Sequence, residues 1–456
     1  MENVNVKLIA SACTANLMAF ANGNAYAWSS TALTSLKSND TLRNPIGRPV
    51  TTSEESLITS LVSLGAMCGP TLAGFLSEKI GRKNSLLSFA MPMLLAHSIL
   101  AFATKPLQFY IARFMLGVGA GSVFTVIPMY VGEIAETRIR GFLGCLMGIF
   151  IAFGLLFVYT IGPFVTLKTL SFILLIPLMV FLLLFSLFVP ETPYYYLTKG
   201  KYKEAEASLN KVRKDDHCAN LKELALMRET VEEYSNTGSS ISDLLKNRTF
   251  KKGLTITASL MALQQSIGVT IIFCYMETIF IDSGSKFSSS HSTIIVGVIQ
   301  MIVVSFSALL VDKWGRKVLL VISCAGCSIS MFVLGVYFYM KDQRMDVSSL
   351  WLLPIATVIT FTVSFKFGLG SLPWTLVGEL FSSQTKSVAA TITTTVCVSL
   401  AFATTFLFPT IKEMIGYHGS FWIFSGNALI ACLFSLFYIP ETKGKNFQEI
   451  LKMLGK

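Results

Sequence analysis

The sequence predicts an all-α membrane protein in which twelve transmembrane helices form two six-helix bundles. The first reason is composition, because 53% of the 456 residues are hydrophobic and 14% are charged, whereas soluble domains carry about 25% charged residues. The second is that the charges cluster and leave apolar runs of the roughly 20 residues that cross a hydrocarbon core of about 30 Å. The third is that three short motifs each occur twice, in the same order and at a nearly constant offset. A duplicated half is typical of carriers with a site at mid-depth between two repeats.

Twelve apolar runs separated by polar breaks are predicted to be the spans. The first six and the last six are separated by residues 190–252, the only long polar stretch of the chain. We therefore predict a first bundle over 1–189, a linker with short intracellular helices over 190–252, a second bundle over 253–440 and a tail over 441–456. The predicted spans are 8–33, 55–77, 84–104, 108–132, 140–162, 167–189, 253–281, 291–311, 318–340, 350–378, 387–411 and 420–439.

The distribution of lysine and arginine predicts that both termini are cytoplasmic. Most of the 37 basic residues lie on one side of the membrane if the first span starts inside, and cytoplasmic loops hold such an excess. The net charge of +11 suits an anionic inner leaflet. Because the basic residues alternate with acidic ones, no nucleic-acid-binding stripe is expected. The expected partner surface is the lipid bilayer, predicted to be the plasma membrane.

Three short patterns allow a second interpretation. Residues 8–21 can be the apolar core of a signal peptide cleaved after 25–27, but cleavage would strip the first helix from one of two matched bundles. Cys324 and Cys327 have the spacing of a metal or redox pair, yet no second pair or nearby His accompanies them, so a contact of small residues between helices is favoured. Of two Asn-x-Thr sequons, only Asn39 lies in a predicted outer loop, where it can be glycosylated.

The linker contains two predicted amphipathic helices, over 201–214 and 220–234. An apolar face on each indicates that they pack under the inner ends of the spans. A purely solvated linker is the alternative. The apolar positions are Ala205, Leu209 and Val212 in the first helix and Leu221, Leu224 and Met227 in the second.

The duplicated motifs are predicted to form a cytoplasmic gate. Gly81 and Gly315 follow spans 2 and 8, where glycine lets the backbone turn into the next helix. Acidic residues recur beside basic ones on the same face, which indicates ion pairs between helix ends rather than loop charge alone. Such pairs must break when that side opens and would favour the outward-facing state. The motifs are Gly81-Arg82-Lys83 with Gly315-Arg316-Lys317, Glu133 seven residues before Arg140 with Glu379 seven before Lys386, and Pro190-Glu191-Thr192 with Pro440-Glu441-Thr442; the predicted gate residues are Arg82, Glu133, Arg140, Glu191, Arg316, Glu379, Lys386 and Glu441.

No catalytic pattern is present in the sequence. It contains no Walker loop for ATP, no H-E-x-x-H zinc motif and no nucleophile elbow, and its four histidines are far apart along the chain. We therefore expect neither an enzyme nor an ATP-driven pump, and no cofactor or metal.

Polar side chains in spans 7, 8 and 10 are the candidate substrate site. Amides at mid-depth are costly unless they are paired, and an amide offers a donor and an acceptor, as a sugar hydroxyl does. Gln264 and Gln265 point about 100° apart, so one can face a cavity while the other bonds a neighbouring helix. Trp374 offers an apolar face to a pyranose ring, and the glycines and prolines before it predict a break in the helix. The alternative for each amide is a structural role, in which it forms a hydrogen bond between helices. The candidate residues are Gln264, Gln265, Thr270, Gln300, Lys366 and Trp374.

These motifs together resemble the sugar-porter family of the major facilitator superfamily, over essentially the whole chain. Within it, the chain is similar to the facilitated trehalose and glucose transporters of arthropods. The resemblance implies that Gln264, Gln265, Gln300 and Trp374 contact sugar. The motifs are Gly-Arg-Lys twice, Glu133 to Arg140-Gly141, Pro190-Glu191-Thr192-Pro193, Gln264-Gln265, Pro373-Trp374, Glu379-Leu380-Phe381 and Pro440-Glu441-Thr442-Lys443-Gly444.

Five residues depart from the family pattern and leave the identity of the sugar open. Thr270 stands where an Asn is usual, Gly148 where span 5 usually has a Gln, and Cys397-Val398 where Asn-Trp is frequent. Lys366 stands where relatives have Glu or a small polar residue, and a cation at mid-depth costs about 2.5 to 3.5 kcal/mol on insertion scales. It is either a donor to sugar oxygens, with a bias toward anionic sugars, or a side chain that reaches a wet cavity wall.

The resemblance also bears on energy coupling. Proton-driven members place an acid in span 1, whereas residues 8–33 contain neither Asp nor Glu, and Arg113 of span 4 thus lacks a partner acid. Facilitated, gradient-driven transport of a sugar such as trehalose or glucose is therefore expected. A proton-coupled symporter and a non-transporting sugar sensor on the same fold are the alternatives. A channel is disfavoured because no ring of pore-lining charge is evident.

Overall fold

The fold is all-helical throughout the part of the chain that the structure covers. The computed structural model describes residues 5–136, 139–213, 217–235, 248–381, 383–441 and 449, without the side chains of 217, 230, 232–235, 307–314, 383, 384, 386 and 387. Two six-helix bundles are joined by a helical linker. The helices of the first bundle are α1 (Val6–Leu36), α2 (Thr52–Ile80), α3 (Arg82–Phe102), α4 (Pro106–Ile134), α5 (Arg140–Ile161) and α6 (Leu167–Phe188).

The linker forms short helices beneath the first bundle. They are α7 (Pro193–Thr198), α8 (Tyr202–Val212) and α9 (His217–Ser235). The apolar face predicted for the first linker helix is correct, because Ala205, Leu209 and Val212 are all buried. In the second, Met227 is buried but Leu221 is 43% exposed, so the predicted face was wrong at its first position. Helix α7 was not predicted, because a single helical turn carries too little periodicity.

The second bundle contains two broken spans and one sharply bent helix. Span 7 is divided at Gly268, whose φ of +85° interrupts the helix, and span 10 is divided at residues 368–371. The predicted break in span 10 is thus correct, whereas that in span 7 was missed. The helices are α10 (Arg248–Ser266), α11 (Val269–Ser283), α12 (Ser289–Trp314), α13 (Arg316–Asp342), α14 (Leu353–Phe367), α15 (Leu372–Leu380) and α16 (Ser383–Tyr438).

Twelve spans follow from these helices. Among the described residues, ten helical stretches are long and apolar enough to cross a membrane. One of them, α16, bends at Gly416 (φ 71°) and therefore contains two spans. Helix α1 is less apolar but has 31 residues, a length of about 46 Å. Its polar residues Asn22 and Asn24 are fully buried, so they face protein rather than lipid.

Both bundles place their duplicated turns on the same side of the molecule. We call the side that carries Gly81, Gly315 and the linker helices the basic face, and the other side the opposite face. The two bundles meet along three helix pairs, α1 with α11, α2 with α16 and α5 with α12. Within the first bundle α2 and α4 approach closely because Gly65 lies against Gly117, where any Cβ would collide with backbone atoms. Buried polar side chains, such as that of Glu277, lie at this interface.

Candidate substrate site and gates

The three motifs of the first bundle form one cluster at the basic face. The Arg82 guanidinium pairs with Glu133 at 2.9 Å. The Glu191 carboxylate accepts the backbone N–H groups of Arg82 at 3.0 Å and Lys83 at 2.9 Å, which are the first of helix α3. A carboxylate at a helix N-terminus satisfies unpaired donors and the helix dipole. Burial raises the pKa of Glu191, and its bonds to these N–H groups oppose that shift.

The second bundle repeats this cluster. Arg316 pairs with Glu379 at 3.1 Å, and Glu441 accepts the N–H groups of Arg316 at 3.0 Å and Lys317 at 3.1 Å. The motifs recur together because each supplies a different part of the same cluster. The Gly-Arg-Lys motif forms the turn, the following Glu forms the ion pair, and the Glu of Pro-Glu-Thr caps the helix.

The turn requires glycine for two reasons. Gly81 and Gly315 have φ of +97° and +87°, a region that side chains with a Cβ rarely adopt. A Cβ on Gly81 would also collide with the Glu191 carboxylate, and one on Gly315 would lie 2.8 Å from Glu441 Oε2. The predicted glycine turns are therefore present.

The clusters join helices of the same bundle. Of the eight predicted gate residues, the structure brings together Arg82, Glu133 and Glu191 in one bundle and their three counterparts in the other. Arg140 is exposed and pairs with no described carboxylate, and Glu133 pairs with Arg82 instead. The side chain of Lys386 lies outside the described residues. The ion pairs of Arg82 and Arg316 each join helices within one bundle, so a gate role between the bundles stays a prediction.

Hydrogen bonds toward the opposite face do cross between the bundles. The Tyr275 and Thr59 hydroxyls lie 2.9 Å apart. The Glu277 N–H donates to Ser30 Oγ at 3.0 Å, and Tyr159 Oη donates to the Phe273 carbonyl at 3.0 Å. Thr52 at the start of α2 donates to Glu413 of α16. These contacts close the opposite face.

The two adjacent glutamines of span 7 have different partners. Gln264 is buried, and its Nε2 donates to the Leu369 carbonyl at 2.5 Å, in the break of span 10. Gln265 is half-buried; its Nε2 donates to Cys397 Sγ at 3.2 Å and its Oε1 accepts from the Thr270 hydroxyl at 2.8 Å. Both amides thus bond a neighbouring element of the second bundle, and Gln265 is the more accessible of the two.

Trp374 lies in the first turn after the break of span 10 and stacks on Phe124 of α4. The ring centroids are 5.9 Å apart and the planes differ by 7°. Because α15 leads to Glu379 at the basic face, this pair joins the bundles on the basic side of the broken helix. Phe124 was not singled out from the sequence, since an aromatic residue in an apolar helix gives no distinguishing signal.

Three fully buried amides have no hydrogen-bond partner among the described residues. They are Gln300 of α12 and Asn22 and Asn24 of α1. Gly154 of α5 packs beside Asn24, and Gly297, one turn from Gln300, faces Tyr159 of α5, so α5 runs between the two groups. Buried amides are rarely left unpaired, and these therefore provide donors and acceptors for water or a polyol.

Lys366 lies among aromatic rings. Its Nζ is 5.5 Å from the centre of the Phe273 ring and 5.8 Å from that of Phe365. No carboxylate of the described residues forms a salt bridge with it. The ring faces stabilise the ammonium, and its donors remain available to oxygen acceptors.

Arg113 is fully buried and has neutral partners. It donates to the carbonyls of Ala25 at 2.6 Å and Ile58 at 2.9 Å and to Ser29 Oγ at 2.5 Å, and it lies 5.0 Å from the Trp28 ring. All four partners are uncharged groups of α1 and α2, so no acid among the described residues neutralises Arg113.

Glu277 is a buried acid that the sequence reasoning missed. It is 4% exposed, its Oε1 accepts from Ser290 at 3.2 Å, and its Oε2 has no partner among the described residues. A signal was available, because Glu277 is an isolated acid in the apolar run of span 7 and such residues are functional candidates by default.

Two six-helix bundles with broken helices in the second are the architecture of the major facilitator fold. The chain belongs to the sugar (and other) transporter family, whose profile matches residues 10–454. It is 33% identical over 454 residues to the facilitated trehalose transporter Tret1 of Culex quinquefasciatus, covering 98% of this chain and 86% of that protein.

Further similarity extends to a longer relative and to a solved structure. Tret1 of Aedes aegypti is 32% identical over 98% of this chain, but the chain spans about half, 55%, of that protein. The inward open conformation of the xylose transporter XylE from E. coli has a TM-score of 0.81 at 22% identity, covering 98% of this chain and 99% of that one. At this identity the likeness shows the fold alone.

Proposed function

We propose that the protein carries a sugar, such as trehalose or glucose, down its concentration gradient across the plasma membrane by alternating access. The observation that carries the proposal is the group of polar and aromatic side chains at the two broken spans, where Gln265 and Thr270 offer hydrogen bonds and Trp374 a flat apolar surface. Gln300 of α12 adds a buried amide without a partner among the described residues. Asn22 and Asn24 offer further buried amides in the first bundle, on the other side of α5 from Gln300. The names of the related Tret1 proteins support the same substrate class.

The closed opposite face supports an inward-facing conformation. We infer that the basic face is cytoplasmic, as its excess of lysine and arginine indicates, and that both termini lie there. Hydrogen bonds such as Thr59–Tyr275 close the other side, so we infer that the site is reached from the cytoplasm when the Phe124–Trp374 ring pair on the basic side separates. Asn39 is exposed in the loop after α1, on the outer side, where it can be glycosylated.

Counterflow in liposomes tests the function. Purified protein is reconstituted with unlabelled glucose or trehalose inside, and labelled sugar is added outside. A carrier accelerates entry of the label when unlabelled sugar is on the far side, because loaded reorientation returns the site. Equal entry with and without internal sugar would indicate a channel, and no entry of either sugar would contradict transport of these substrates.

Proton coupling is the second candidate, and Glu277 favours it. A buried carboxyl without a cationic partner can exchange a proton as the opposite face opens and closes. We nevertheless expect uniport, since α1 provides no acid to Arg113. In liposomes with a pH dye inside, the lumen should not acidify as sugar enters. Symport would be established instead if the lumen acidified as sugar entered, and if Glu277→Gln abolished this acidification but still moved sugar.

A further inference from the structure

A cavity of about 510 Å³ opens on the basic face of the first bundle, away from the sugar site. It lies among the end of α2, the start of α3, the end of α6 and the linker helices α7 and α8. The unduplicated linker therefore builds much of its wall. The site between the bundles does not account for this cavity, although Glu191 of the gate cluster forms part of its wall.

Three lysines converge on the cavity from different elements. Lys83 comes from the start of α3, Lys201 precedes α8, and Lys211 lies in the last turn of α8. The Lys83 ammonium is held at the rim because its Nζ donates to the Ser186 carbonyl at 2.8 Å. Ammonium groups brought together in this way are typical of sites for phosphate groups.

Two acids also line the cavity, but one of them already accepts hydrogen bonds from backbone N–H groups. Glu191 accepts backbone N–H groups of Arg82, Lys83 and Thr192, so its oxygens face the helix terminus. Glu204 lies in the first turn of α8, where it complements that helix dipole. The lysines therefore exceed the acids, and the cavity favours an anion.

Part of the remaining wall is apolar and exposed. Leu187 and Phe188 at the end of α6 line the cavity and are 67% and 73% exposed. Exposed apolar side chains at the end of a membrane helix lie against the acyl region. The cavity thus has a basic polar part and an apolar part at the boundary of the hydrocarbon region. A free anion in water would use only the basic part.

We propose that this cavity binds the phosphate headgroup of an anionic phospholipid. The three lysines contact the phosphate, the hydroxyl of Tyr196 provides an additional polar contact, and the acyl chains lie along α6 past Leu187. The lipid bridges the first bundle to the linker helices. This site is independent of the proposed sugar transport.

Lipid titration of the purified full-length chain tests the proposal. Thermal stability is followed in phosphatidylcholine nanodiscs that contain increasing phosphatidic acid, with inorganic phosphate in a parallel arm. The double variant Lys201→Gln/Lys211→Gln is compared with Lys203→Gln/Lys222→Gln, which removes the same charge from exposed linker positions that do not line the cavity. Ala207→Glu, also on the wall, adds a carboxylate without removing any lysine.

Phosphatidic acid is expected to raise the melting temperature of the wild type. In Lys201→Gln/Lys211→Gln the lipid content at half-saturation should be about 25-fold higher, at about fivefold for each interfacial lysine. The control pair should shift less than threefold, and Ala207→Glu should weaken binding at least fivefold. Equal losses in both lysine pairs would show a diffuse surface effect and overturn the proposal. Inorganic phosphate that stabilises as well as the lipid at equal concentration would overturn the lipid as the ligand.

Discussion

Removing the Tyr275 hydroxyl should open the opposite face. The Tyr275–Thr59 hydrogen bond of 2.9 Å crosses between the bundles and is buried. In Tyr275→Phe the Thr59 hydroxyl still donates to the Glu55 carbonyl at 2.8 Å, so no donor is left unpaired. The loss is therefore the net value of one hydrogen bond, about 1 kcal/mol. Because the bond exists only when this face is closed, the ratio of open to closed molecules should rise about fivefold.

Tyr337→Phe is the matched control. The Tyr337 hydroxyl donates to the Ser283 carbonyl at 2.9 Å, but both residues belong to the second bundle, so the bond is kept in either state. Spin labels at Asp40→Cys and Lys286→Cys, exposed loop positions of the two bundles at the opposite face, report the distance across it, with the exposed Cys68 and Cys218 replaced by serine. An unchanged distance distribution in Tyr275→Phe, or an equal change in Tyr337→Phe, would refute the reasoning.

Two further predictions concern the basic face and the site. Gly81→Ala should destabilise the protein by more than about 2 kcal/mol, because a side chain is strained at its φ of +97° and meets Glu191. The control Gly200→Ala, at φ +70° in open space, should cost only about 1 kcal/mol. Equal melting temperatures for the two variants would contradict the clash with Glu191. Lys366→Met should weaken the sugar affinity measured in counterflow about tenfold, the scale of one charged hydrogen bond. Unchanged affinity and substrate range would mean that Lys366 only reaches a water-filled cavity wall and does not bind sugar.

Membrane architecture was readable from the sequence because lipid imposes a simple rule. Every span must hold an apolar run of sufficient length, and each backbone polar group must be paired within a helix. The predicted spans therefore match the helices within a few residues, even at α1, whose buried asparagines lower its hydropathy. The break at Gly268 escaped notice because a single glycine is compatible with a continuous helix.

Partner choice was less predictable. Repetition of Glu133 and Glu379 beside basic residues correctly suggested ion pairs, but the arginine that pairs with Glu133 is Arg82, 51 positions earlier in the chain, not the nearby Arg140. Sequence proximity cannot decide between them, since the geometry of three helix ends sets which guanidinium reaches the carboxylate. The same holds for Gln264 and Gln265, whose different roles depend on where the break in span 10 places the Leu369 carbonyl.

The sequence by itself determined the number of spans, the duplication, the glycine turns and the polar character of spans 7, 8 and 10, because these depend on local composition and on the solvent around each helix. Tertiary structure alone decided that Glu191 and Glu441 cap the following helices, that Trp374 stacks on Phe124, that Glu277 is buried beside Ser30, and that lysines of α3 and the linker share one cavity. Each of these joins residues from separate helices, and only the packing of the bundles brings them together.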